Sequence, residues 1–372
     1  MLLLILLPVA FAQSTGPDQA MALEQQGKLP EAEQEWHRWL AANPKDAAAY
    51  ASLGVVLSKE NKYAEAAKAY RQALALNGDL PGIQLNLGLA EFKQNKFHDA
   101  IEPFRAALKA EPQNQQAHTL LGLCYYTSGD FAKAIEHLSV ASNADPNNVE
   151  LHNLLAQSCL SGKKFDCALN EFKWLASRDP DSPSVHILLG QALDGLKRTD
   201  DAIAEFQMAA KADPNAANVF FGLGFLYWKT GRYDEATEHF EKQLSVDPDN
   251  PEALTYLGDV ELKRNNLEKA VTLLSRAVRL RQDIRLAYLD LGAVYTTQKR
   301  YDDALHALEQ AEKLDPAQID VHFRLGTLYK EMGKSAESQK EFAKIHDLQK
   351  KAEDDLADRM SSPKSPPPAS PN

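Results

Sequence analysis

The sequence is short of the residues that carry most protein chemistry. Its 372 residues include three cysteines, Cys124, Cys159 and Cys167, and no two form a C-x-x-C pair. A structural zinc site is therefore not expected. The odd count argues against a full disulfide framework. Cys159 and Cys167 nonetheless flank a predicted turn at Gly162-Lys163 and could pair in an exported chain; the other reading makes them small buried residues of a helical core. No block of lysine or arginine relieves a formal net charge of −11. Such a surface repels phosphate backbones, so no nucleic-acid partner is expected. H-E-x-x-H and P-loop motifs are absent. Gly222 and Gly224 lack the third glycine of a dinucleotide loop. No Ser-His-Asp set stands out. The expectation is a chain without catalytic residue, cofactor or metal.

Long apolar runs are missing too, except at the start. Residues 2–7 are all aliphatic, and Ala10-Phe11-Ala12 precede Gln13. A short apolar run before an A-x-A site reads as a secretory signal peptide over residues 1–12. It is too short to span a bilayer, which takes about 20 residues, so no integral membrane span is expected. No lysine or arginine precedes the run, which departs from the usual signal, and no cysteine follows it to take a lipid. The expected location is periplasmic or secreted, or cytoplasmic if the signal does not function.

Against these absences stands a repeat. Gly54, Gly88, Gly122, Gly190, Gly224, Gly258, Gly292 and Gly326 keep a 34-residue spacing, with Ala156 filling the one double gap and Ala20 extending the series backwards. An alanine series from Ala32 to Ala304 keeps the same period and closes on Ser338. A leucine series runs from Leu53 to Leu325, and an aromatic or leucine series from Trp36 to Phe342. Series locked to one register define tandem units: 13–46, 47–80, 81–114, 115–148, 149–182, 183–216, 217–250, 251–284, 285–318 and 319–352.

Each series has a physical reason. With the glycine numbered 8, positions 4, 7 and 11 form one apolar stripe, helix A; positions 20 and 24 form the inner stripe of helix B. Small residues at 8 and 20 let the two helices cross closely. Position 15 is Gly27, Asn61, Asn95, Gly129, Gly231, Asn265 or Gly333 in seven units, as a left-handed residue ending helix A requires. Proline at position 32 ends the unit, and Pro81, Pro183 and Pro251 are expected to open the next helix. The fold class is all-α, a solenoid of antiparallel helix pairs. In the first unit Gly16 and Gln19 replace the apolar residues, so its first helix should be a short polar cap. Residues 353–360 read as a capping helix extension and 361–372, rich in Ser and Pro, as a disordered tail.

This pattern resembles the tetratricopeptide repeat family, W-x2-L-G-x2-Y…A-x3-F…P on a period of 34. Phe220, Leu223, Gly224, Tyr227, Ala236, Phe240 and Pro248 follow it closely, and the resemblance covers residues 13–352. It implies a right-handed superhelix whose A helices line a concave groove, with positions 2, 5, 6, 9, 12 and 13 facing a partner. Carried onto this chain, that places Asn86, Leu89 and Phe92 in the groove, then Tyr126, Asn153 and Leu160. Further along it places Phe221, Phe225, Trp228 and Tyr256 there. Phe221, Phe225 and Trp228 form a second apolar stripe off the core face. An exposed patch of this kind marks an interaction site, and aromatic residues anchor such sites. The alternative is that curvature buries the stripe against neighbouring A helices.

The resemblance implies a scaffold or adaptor that binds other proteins or peptides, in envelope assembly or complex organisation. A non-catalytic subunit of polysaccharide or pilus machinery and a self-associating structural solenoid are the alternatives. The family's clamp for chaperone C-termini is not expected. Asn86 matches its middle element, but Ala51, Val55, Gln116 and Leu120 do not match the rest. His118, His152, His186 and His322 share position 4. Packing is expected there, since successive helix layers lie about 8–10 Å apart and zinc ligands converge at about 2 Å.

Overall fold

The computed structural model describes residues 16–361. The signal segment expected at 1–12 and the tail beyond Ser361 lie outside them. Among the described residues there are twenty α-helices and no strand, in two compact units, Met1–Pro180 and Asp181–Asn372. The first unit holds α1 (Pro17–Gln25), α2 (Leu29–Ala42), α3 (Ala47–Lys59), α4 (Tyr63–Leu76), α5 (Ile83–Lys93), α6 (Phe97–Ala110), α7 (Gln115–Thr127), α8 (Phe131–Ala144), α9 (Val149–Ser161) and α10 (Phe165–Ala176). The second holds α11 (Pro183–Gly195), α12 (Thr199–Ala212), α13 (Val219–Lys229), α14 (Tyr233–Val246), α15 (Pro251–Lys263), α16 (Leu267–Leu280), α17 (Arg285–Thr297), α18 (Tyr301–Leu314), α19 (Ile319–Glu331) and α20 (Ser335–Ser361). Each even-numbered helix starts 34 residues after the one before it. Each odd-numbered helix packs against the even-numbered helix that follows, and successive pairs stack within each unit. Each unit is thus a stretch of α-α solenoid.

Local chemistry sets the helix ends. Asp46, Asn114, Asn148 and Asn250 accept a hydrogen bond from the backbone N–H three residues on, capping α3, α7, α9 and α15. This satisfies a donor that the first turn leaves open. Pro183 and Pro251 open α11 and α15 as expected. Pro81 does not open α5. Gly82 adopts φ +73° and the helix begins one residue later, at Ile83. Glycine takes this left-handed conformation without a Cβ penalty, so the chain turns once more before the helix starts.

The turn between paired helices repeats in all ten pairs. Position 15 has positive φ not only at the seven glycines and asparagines but also at Lys163, Lys197 and Lys299, with φ between 56° and 61°. In the turn after α9, Lys163 N–H donates to the Leu160 carbonyl at 3.0 Å and Lys164 N–H to the Cys159 carbonyl at 2.8 Å. That pair of bonds closes a helix only if the residue between is left-handed. An L side chain there costs about 1–2 kcal/mol, against the roughly 0.5–1 kcal/mol of backbone entropy a glycine forfeits. Lys163→Gly, Lys197→Gly and Lys299→Gly are each expected to stabilise the chain by about 0.5 kcal/mol, read as a higher urea midpoint with unchanged slope. Lower midpoints for all three would refute the account.

Paired helices cross closely at positions 8 and 20, where a Cβ on Gly190 would lie 3.2 Å from the Ala202 carbonyl and Ser338 Oγ donates to the Gly326 carbonyl at 2.8 Å. The position-8 glycine faces the position-24 side chain of its partner helix. A Cβ on Gly54 would lie 2.4 Å from the Tyr70 ring, and one on Gly88 2.6 Å from Phe104. Gly122 stands in the same way over Leu138, and Gly224 over Phe240. Tyr70, Phe104, Leu138 and Phe240 are all fully buried, each worth about 1.5–3 kcal/mol of apolar transfer.

Cys159 of α9 and Cys167 of α10 form a disulfide across their turn, with Cα atoms 5.7 Å apart. Cys124 is a buried free thiol, and burial pushes its pKa up to about 12. It is therefore a packing residue, since the thiolate is the reactive form.

Candidate functional site

In the first unit the expected groove residues each make contacts of their own. Asn86 and Leu89 of α5 line a cavity of about 300 Å³ together with Val55, Ser58, Tyr63 and Tyr70. Phe92, at the end of α5, folds over the turn onto Phe97, ring centroids 5.3 Å apart. Tyr126 does the same onto Phe131 at 5.8 Å, and its hydroxyl reaches Gln157 at 3.5 Å. Asn153 is exposed and accepts from the Gln157 amide at 3.2 Å. Leu160 is half-buried.

The second unit is different. Phe221, Phe225 and Trp228 of α13 and Tyr256 of α15 touch one another. Ring centroids are 5.4 Å apart for Phe225 and Tyr256, 4.8 Å for Trp228 and Tyr256, and 5.9 Å for Phe225 and Trp228. Phe221 and Tyr256 rest on the buried Phe240 ring at 6.1 and 6.0 Å. Edge-to-face and offset pairs at these separations add about 0.5–1.5 kcal/mol each. All four rings remain only half-buried. Neighbouring A helices cover one side of the stripe, and the rest stays open. Gly222, on another face of α13, lets that helix approach α12. A Cβ there would lie 2.2 Å from the Phe206 ring of α12.

Charged residues that the sequence pattern did not single out sit beside these rings. Trp228 Nε1 donates to Asp259 Oδ2 at 2.5 Å, and Lys263 donates to Asp259 Oδ1 at 2.5 Å. Lys263 also lies over the Trp228 ring. On the next A helix, α17, Asp290 is 4% exposed and its Oδ2 has no hydrogen-bond partner. Burial, and next the charge of Asp259, push the Asp290 carboxyl up to about 8. Tyr256 is raised first by burial and then by Asp259, with Asp290 a further contributor, which places its phenol near both carboxylates. The only sequence signal was an acid at a groove position of an otherwise apolar A helix.

Position 11 brings a correction. It was expected to be apolar, but Glu91 and Glu261 occupy it and are fully or almost fully buried. Arg71 donates to Glu91 from the preceding helix. For Glu261, burial pushes the carboxyl up, but hydrogen bonds from Lys269 at 2.8 Å and Asn266 at 2.7 Å outweigh it and hold the group below its ordinary value. A buried acid is tolerated where its charge is met by donors.

The position-4 histidines are connectors. His152 Nδ1 lies 2.5 Å from Glu171 and its Nε2 3.2 Å from the Pro146 carbonyl, with the ring stacked on Trp174. His322 meets Glu341 at 2.8 Å and the Pro316 carbonyl at 2.9 Å. His186 Nδ1 meets Glu205 at 2.6 Å. In α7 the partner is His137 at 3.1 Å, whose pKa is lowered by burial. These histidines tie helix A to helix B and to the preceding turn. Among the described residues, Glu312, His322 and Glu341 could converge on a metal ion. The Lys344 ammonium, 2.9 Å from both carboxylates, already takes the cation's place.

A family model described as "Tetratricopeptide repeat" matches residues 18–81, 85–149 and 153–217. Another with that description matches 227–291, and one described as "TPR repeat" matches 292–333. No curated protein matches the chain significantly. A solved structure of MamA is 28% identical, over 45% of this chain and 97% of that one, with a TM-score of 0.40. YrrB, titled "a TPR protein with an unusual peptide-binding site", is 24% identical over 48% of this chain and 92% of that one, TM-score 0.40. Yeast Tom70 is 15% identical over 89% of this chain and 91% of that one, TM-score 0.44.

Proposed function

We propose that this chain, which belongs to the tetratricopeptide repeat family, is a binding scaffold, and that the aromatic shelf of α13 and α15 receives an apolar segment of another protein or a peptide. The observation that carries the reading is the shelf itself. Four large aromatic side chains hold each other in place at positions the core does not need, and all four keep open surface. Rigid, partly desolvated aromatics are the usual anchors of a protein interface. The test uses linear peptides selected on the full chain from a random display library. Trp228→Ala and Phe225→Ala are each expected to weaken the selected peptides about 30-fold, the scale of a 2 kcal/mol hot spot. Phe92→Ala, whose ring is folded onto its own turn, is the control. Unchanged affinity in both shelf variants, with helical circular dichroism intact, would remove the shelf from the binding site.

Export belongs to the same proposal, with work in the periplasm or at the envelope, where such a scaffold would assemble or position other proteins. Two observations support it. Residues 2–7 and Ala10-Phe11-Ala12 have the form of a cleaved signal, and the Cys159–Cys167 disulfide suits an oxidising compartment. Mass spectrometry of the protein purified from its native host is expected to show a mature chain beginning at Gln13. An intact Met1 would overturn export by cleavage.

A further inference from the structure

We propose that α20 pairs with the α20 of a second copy of this chain, antiparallel and about a two-fold axis at Ala352. This seam lies apart from the aromatic shelf and does not rest on the shelf being a binding site.

Position 24 is closed in every pair but the last. Phe104, Phe240, Leu274 and Leu308 are fully buried there. The glycine of the paired helix lies on one side, and the next odd-numbered helix packs on the other. Tyr256 of α15, for example, rests on Phe240 of α14 at 6.0 Å. Phe342 of α20 stands over Gly326 of α19 in the same way. Among the described residues no helix follows α20, and Phe342 is 38% exposed. Phe323 of α19, its ring 6.2 Å from that of Phe342, is 54% exposed. A solenoid end normally carries a polar face. An aromatic one marks a contact surface.

The occupant is written along α20 itself. This helix has 27 residues where α4 has 14. At 3.6 residues per turn, Phe342, Ile345, Leu348, Ala352 and Leu356 share one face. The stripe therefore continues from the open end of the solenoid onto the extension, where Leu356 is 59% exposed. A helix with an uncovered apolar stripe is stable against a second such stripe. The slot beside Phe342 is that of an odd-numbered helix, which would run antiparallel to α20. The extension of a second α20 fills it in that direction, and the relation is mutual: each copy covers the other's open end.

Charge fixes the register. With the two-fold axis at Ala352, Leu348 meets Leu356 of the second copy. Lys351 and Asp355 flank the stripe on one side, Gln349 and Glu353 on the other, and Lys350 and Asp354 stand on the far face of the helix. A two-fold axis brings each flank against the same flank of the other copy. Lys351 therefore meets Asp355 of the second copy, and Gln349 its Glu353. Lys351 and Asp355 are exposed and form no ion pair among the described residues. Lys344, on the same flank, is held by Glu312 and Glu341, each at 2.9 Å.

A helix seam of this length is small for an interface, so a dissociation constant on the order of 10 µM is expected. Sedimentation of the full chain from about 1 to about 200 µM should then pass from monomer to dimer. Leu356→Lys, at an exposed site, should weaken the dimer at least tenfold. Lys351→Glu leaves two acids on that flank and Asp355→Lys two lysines, so each alone should weaken the dimer by several-fold. An equimolar mixture of these two variants should dimerise within about threefold of the wild-type affinity, a recovery that misfolding cannot produce. Circular dichroism checks that all three remain helical. A full chain that stays monomeric through this range would overturn the proposal, whatever else lies on Phe342. A dimer that Leu356→Lys leaves intact would put the contact elsewhere and overturn it as well. A mixture that associates no better than its components would overturn the antiparallel register.

Discussion

Gly224→Val is expected to destabilise the second unit by about 3 kcal/mol or more, lowering its melting temperature by roughly 10 °C. A Cβ at this position would sit 2.6 Å from both Cδ1 and Cε1 of Phe240, closer than carbon atoms approach without displacement. Phe240 is fully buried and its far side carries Phe221 and Tyr256, so it has little room to retreat. Helix propensity pulls the other way, since glycine inside α13 costs about 1 kcal/mol relative to alanine. Valine regains part of that and adds a branched Cβ at the crossing. The clash is larger, so overpacking decides the sign. A double-mutant cycle isolates the cause. Phe240→Ala alone should cost about 3–5 kcal/mol, and the double variant should be more stable than the sum by over 1 kcal/mol. Strict additivity would mean that the glycine serves something other than the ring.

Asp290→Asn is expected to stabilise the chain, and the gain should depend on pH. The folded-state pKa is raised from an ordinary 3.8 to about 8. Between those values the native state holds a proton that the unfolded chain has lost. Stability of the wild type therefore falls as pH rises from about 4 to about 8 and is level above. The amide cannot ionise, so the advantage of the variant rises with pH, by on the order of 5 kcal/mol between pH 4 and pH 8, from a starting value set by an amide with no better partners than the acid had. Urea titrations of both proteins at pH 5 and pH 8 read it directly. A constant difference between the two pH values would show that Asp290 titrates normally and that its burial is not felt.

The sequence by itself determined the family architecture, because the information is local and periodic. A turn of helix places positions 4, 7, 8 and 11 on one face whatever surrounds them. A left-handed residue at position 15 ends the helix, and proline at 32 ends the next. Even there, Lys163, Lys197 and Lys299 entered the left-handed conformation without the glycine or asparagine that would have announced it. The paired helices impose the turn, and the side chain yields. The aromatic stripe of α13 was also legible, since Phe221, Phe225 and Trp228 repeat at helical spacing off the core face.

Only the tertiary structure decided which of these groups meet. Phe92 and Phe225 stand at neighbouring groove positions, 12 and 9, yet Phe92 collapses onto Phe97 while Phe225 joins three rings. Tyr256, 28 residues from Trp228 along the chain, arrives because α14, which lies between them, brings α15 back alongside α13. The same stacking sets Asp259 against the Trp228 Nε1–H and leaves Asp290 Oδ2 without a hydrogen-bond partner. Whether a buried acid is paired depends on side chains from separate helices and on distances of a few ångströms in a low-dielectric setting. A one-dimensional pattern records the acid but cannot record what stands opposite it.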